Sequence, residues 1–172
     1  MFSLFRKKDK PPKSEAEALA EEVIVRGATA LYYDVAYERL QTAPPELQGQ
    51  VALVLADWLR MGDRRQYGNA WYSVHATLAN LLQKKLPFDE AGLIKLLDWS
   101  IAEKHNFHRE IPLLLKLLER HAKDHLISPE LKRRVEDLAE AVEKLSHTAD
   151  DTRRAQRLRA VVGMTVKALP II

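Results

Sequence analysis

The chain has 172 residues, 47% of them hydrophobic and 30% charged, and a formal net charge of +3. A chain of this length forms one domain that buries about 70% of the surface its unfolded form exposes, and the hydrophobic share excludes a wholly disordered protein. There is no cysteine, which excludes disulfides, thiol catalysis and thiolate metal sites. No apolar run approaches the ~20 residues that span a bilayer as a helix.

The charge is unevenly placed. Residues 1–13 carry a net +4 and residues 150–172 a net +3, which leaves −4 on the body between them. A nucleic-acid track needs continuous basic surface, and an acidic body interrupts it, so nucleic acid is disfavoured as a partner. The sequence divides into a flexible basic tail, 1–13, and a single α-helical domain, 14–172. The tail has no 7–15-residue apolar core of the secretory kind. Phe2, Leu4 and Phe5 followed by Arg6, Lys7 and Lys8 form a candidate contact for an anionic membrane surface.

The elements in chain order are all helical. Ser14 followed by Glu17 reads as a capping box opening the first helix, which runs past Gly27 as one helix or two to Leu40. Pro44-Pro45 starts the second, with Leu47, Val51, Val54, Leu55 and Trp58 on one face and a stop near Gly62. Asn69 is the predicted cap of the third helix, and Asp89 of the fourth. The fifth is placed from Pro112, since proline suits a first helical turn. Its leucine run, Leu113 to Leu118, is apolar around most of the circumference and points to a central helix packed on two sides. Ser128, with Pro129 at the first helical position, opens the sixth, and Asp150 precedes the seventh. The fold class is therefore all-α, with about seven helices as stacked antiparallel helix pairs (a HEAT-like α-solenoid) or a compact helical bundle. Predicted starts recur about every 20 residues, so a pair recurs about every 40. "LPFDE" at 86–90 is echoed by "LISPE" at 126–130.

The segments "LPFDEAGLIKLLDWSIA", "IPLLLKLLERHAKDHLISPELKRRVEDLAEAV" and "RRAQRLRAVVG" resemble HEAT-like helical segments of large bacterial MolR-like proteins, over roughly residues 86–163. The resemblance implies a repeat-like scaffold and supplies no catalytic residues.

Chemistry-bearing motifs are scarce. His105, His108, His121 and His125 place four imidazoles in one stretch, a candidate set for zinc or a similar cation. No Glu lies between His121 and His125, so the metalloprotease pairing of ligands with a general base is missing. No histidine has Glu three residues before it, as di-iron bundles require. The six glycines never provide a phosphate-cradling loop, and there is no Gly-x-Ser-x-Gly elbow. The best binding candidate is the connection Met61–Asn69 leading into Trp71-Tyr72, where Arg64, Arg65, Tyr67 and Tyr72 combine charge with aromatic surface. Arg153, Arg154 and Arg157 are expected to pair with Glu136, Glu140 and Glu143.

The resulting expectation is a cytoplasmic, non-enzymatic module that binds or scaffolds another protein, with no catalytic residue and no cofactor. The alternatives are a membrane-associated adaptor using residues 1–10, and a metal-dependent helical enzyme using the four histidines.

Overall fold

The computed structural model describes residues 12–27, 35–62, 64–103, 107–145 and 149–163. These residues form nine helical segments and no strand: α1 (Glu15–Gly27), α2 (Val35–Thr42), α3 (Pro45–Met61), α4 (Arg64–Tyr67), α5 (Asn69–Leu82), α6 (Glu90–Glu103), α7 (Phe107–Asp124), α8 (Pro129–Leu145) and α9 (Ala149–Val161). The protein is all-α, as its hydrophobic periodicity predicts. No helix among the described residues is long and apolar enough to cross a membrane.

Local chemistry accounts for most of the boundaries. At α1 the Ser14 amide donates to the Glu17 carboxylate at 2.8 Å and the Glu17 amide donates to Ser14 Oγ at 3.2 Å, a reciprocal box. The Gly92 amide donates to Asp89 Oδ1 at 2.8 Å, and the Leu131 amide to Ser128 Oγ at 3.1 Å, so both predicted caps hold. Three boundaries differ, the smallest difference being at α9, which begins at Ala149 and takes Asp150 into its first turn. Asn69 is the first residue of α5 rather than its cap, because Gly68 occupies the cap position at φ 48°. That left-handed conformation favours glycine and turns the chain directly from α4 into α5. The helix placed at Pro112 begins at Phe107, which leaves Pro112 inside α7. The proline lies close to the helix start and its side chain is exposed, so it forgoes one backbone hydrogen bond without disturbing the core.

The helices pair and then stack. Trp58 meets Trp71 at a ring separation of 6.1 Å, while Lys84 Nζ donates to Gln48 Oε1 at 2.9 Å, so α3 and α5 run antiparallel. Arg120 of α7 donates to the Leu86 carbonyl just ahead of α6, which sets α6 and α7 antiparallel. Arg159, near the end of α9, reaches Glu136 in the first half of α8, giving the same sense to α8 and α9. The Ser128 amide ahead of α8 donates to Glu90 Oε2 at the start of α6, so the neighbouring pairs stand side by side with α6 and α8 parallel. The five-residue echo in the sequence marks these two adjacent starts.

Packing follows this order. α1, α3, α6 and α8 form one row, α5, α7 and α9 the other; α1 and α3 pack on α5, α6 on α7, and α8 on α9. α2 packs on α1 and α4 on α5. One continuous apolar core runs between the rows, with Leu55, Leu78, Leu96, Trp99, Leu114, Leu118, Leu131 and Val135 at or near complete burial. α7 contacts α5, α6 and α9, which suits its leucine-rich face. It is not apolar all round: Lys116 and Lys123 are exposed.

The arginines of α9 pair differently from expectation. Arg159 holds Glu136 and Glu143, Arg154 turns back to Asp151, Arg153 to Asp150, and Arg157 reaches Glu119 of α7. The helical phase of α9 directs Arg159 toward α8 and Arg157 toward α7, one residue pair that the linear spacing does not order.

Candidate functional site

The residues singled out from the sequence divide by position. Phe2, Leu4, Phe5, Arg6, Lys7 and Lys8 lie outside the described residues, as do His105, the closing Leu169–Ile172 segment and the side chains of Arg64, Tyr67 and His108. Arg65 and Tyr72 are exposed, on α4 and in the first turn of α5. They stand where the C-terminal ends of α1 and α3 meet α5. Trp58 contacts Trp71 there, and a Cβ placed on Gly27 would lie 3.0 Å from Ser73 Oγ. Met61, Val25 and Tyr72 are among the exposed large hydrophobic side chains, at 74%, 60% and 56% exposure.

His121 and His125 do come together. Spacing of i, i+4 on the last turn of α7 and its exit stacks their rings 4.5 Å apart and within 7° of parallel. His121 is buried, its Nε2 lies 3.8 Å from Glu90 Oε2 and makes no hydrogen bond, and His125 is exposed. Face-to-face stacking is a packing arrangement and does not by itself converge the two rings' nitrogens on one point.

A second constellation joins residues that sequence spacing does not associate. His75 projects from the middle of α5, Ser100 and Glu103 from the last turn of α6, and Glu110 from the first turn of α7. His75 Nε2 lies 2.9 Å from Glu110 Oε1 and 3.9 Å from Glu103 Oε2. Ser100 Oγ donates to the other Glu110 oxygen at 3.0 Å. The Trp99 ring packs beside the imidazole, with centroids 5.6 Å apart at 54°. Glu110, Glu103 and His75 side chains are 1%, 5% and 13% exposed.

Each position has a structural reason. Glu110 stands in the first turn of α7, where unpaired backbone amides favour a negative charge. α6 presents Ser100 and Glu103 one turn apart on one face. Packing of α7 on both α5 and α6 then closes the three side chains on one another. An imidazole, two carboxylates and a hydroxyl in this arrangement can hold or transfer a proton, pair ionically, or ligate a cation.

Comparison with protein-family models, with curated proteins and with solved structures finds no match.

Proposed function

We propose that this chain is a cytoplasmic module that binds or scaffolds another protein, using stacked HEAT-like helix pairs as a rigid frame. Successive pairs in two rows support that reading, because such stacks offer extended helical faces to partners. The observation that carries it is the end of the frame formed by α1, α3 and α5. Val25, Met61 and Tyr72 expose large apolar side chains there, beside the exposed Arg65. Met, Tyr and Arg are the residue types enriched at protein interfaces. The partner face this end fits is apolar.

The test is a pair of substitutions, Met61→Asp with Arg65→Glu, compared with the unaltered chain by cross-linking in native lysate and mass spectrometry of the captured protein. Both positions are exposed, so thermal stability should change little. A specific partner captured by the unaltered chain should be lost by at least tenfold, the effect of about 1.4 kcal/mol. Equal capture by both chains, or a loss that only follows unfolding, would set the reading aside.

A further inference from the structure

We infer that His75, Glu103 and Glu110 form a binding site for a divalent transition-metal cation, of the zinc or manganese class. His75 Nε2 and one oxygen from each carboxylate all lie within 4.8 Å of one another. Ligands held about 2.0–2.2 Å from a single ion stand about 3.0–3.5 Å apart. The 2.9 Å and 3.9 Å separations from His75 bracket that range. The two carboxylate oxygens lie within 4.8 Å of each other, so side-chain rotation alone can bring all three ligands onto one ion.

The surroundings suit a metal. One imidazole with two carboxylates is a donor set for zinc, manganese or ferrous iron rather than for calcium, which takes oxygen ligands alone. Ser100 holds the second oxygen of Glu110 at 3.0 Å, the kind of outer contact that orients a ligating carboxylate. Each of the three side chains is at least 87% buried. A divalent ion attracts both carboxylates at once, and low local polarity strengthens that attraction. The ligands come from α5, α6 and α7, so binding ties the two rows together. The ion takes the place of the proton between His75 Nε2 and Glu110, and that proton leaves to solvent. Three protein ligands leave further coordination positions for water or a small anionic group. This inference does not rest on the proposed docking end, although His75 and Tyr72 both belong to α5.

The experiment uses the full chain without a histidine tag, dialysed against chelator and titrated with zinc chloride and manganese chloride by calorimetry and elemental analysis. One equivalent should bind with a dissociation constant below about 10 µM. The near-isosteric Glu103→Gln and the outer-contact variant Ser100→Ala should each weaken binding about tenfold or more. A double His121→Ala/His125→Ala variant should bind as the unaltered chain does. Histidine-ring NMR of the unaltered chain gives a reading that needs no core substitution: the His75 ring resonances should respond at the first half-equivalent. No saturable binding at about 100 µM would overturn the assignment. So would a site abolished by the His121/His125 variant but untouched by Glu103→Gln, or a first NMR response at another histidine.

Discussion

Gly49 shows how one missing methyl sets a helix spacing. It lies on the buried face of α3, and a Cβ built there would come within 3.0 Å of the Pro87 carbonyl oxygen and 3.8 Å of Phe88. The segment ahead of α6 thus runs directly over α3, and Asp89 can then cap α6 in place. Alanine is the better helix former by about 1 kcal/mol, yet crowding a packed site costs about 1–3 kcal/mol, and here the obstacle is backbone. Gly49→Ala should therefore lower stability by about 1 kcal/mol, read by urea denaturation with an unchanged slope. A stability gain would mean that α3 and the Pro87 segment separate freely. At this scale the sequence was legible where chemistry is local, as with Ser14 and Glu17 or Asp89 and Gly92. It was silent where the contact is remote. His75 and Glu110 are 35 positions apart, and no spacing rule links them. The histidines that a spacing rule does link, His121 and His125, stack on each other instead.

Among the helices, the pairing of α8 with α9 has the clearest electrostatic content. Arg159 spans both Glu136 and Glu143 at 2.6–3.1 Å, and its own side chain is only 17% exposed. Hydrogen bonds from this guanidinium hold the Glu136 carboxyl below its ordinary range and raise Arg159 above its own. A carboxylate whose pKa is depressed by folding adds stability that is fully present above its unfolded value, about 4.3, and disappears as pH falls through the folded value. Arg159→Ala should cost about 1 kcal/mol near neutral pH, in keeping with a partly exposed pair. The difference from the unaltered chain should shrink as pH drops below about 4. Thermal melts at pH 7 and pH 3 check this, and a difference that grows toward acid would refute it. Which arginine makes this bond was hidden in the sequence. The acidic stripe of α8 and the basic α9 were plain, but the choice among Arg153, Arg154, Arg157 and Arg159 depends on the rotation of α9 against α8. The start of α7 differs from the proline signal for a related reason: proline marks a favoured position, but burial of Glu110 and Ile111 ahead of it carries the helix back to Phe107.

For the whole molecule, the order of packing predicts how the structure opens. α6 lies in the interior of the stack, against α3, α7 and α8, whereas α2 packs on α1 and α9 closes the far end on α7 and α8. In a stack of pairs, stability is approximately the sum of each pair's own terms and its contacts with the next, so the ends open without the middle. Opening free energies then range from near zero to the global value. Hydrogen exchange should be slowest at amides around Leu96, Leu97 and Trp99, the buried face of α6. It should be fastest in α2, with α9 faster than α6 by at least tenfold, about 1.4 kcal/mol of opening free energy. The α5–α7 junction at His75 and Glu110 belongs to the slow interior, so saturating zinc should slow α5 and α7 further and leave α2 unchanged. Uniform protection across α2, α6 and α9 would show a single cooperative unit of the closed-bundle kind, in which every helix opens only when all do. The two architectures share the same helix spacing in the sequence, and it is the order of opening, set by which helix touches which, that separates them.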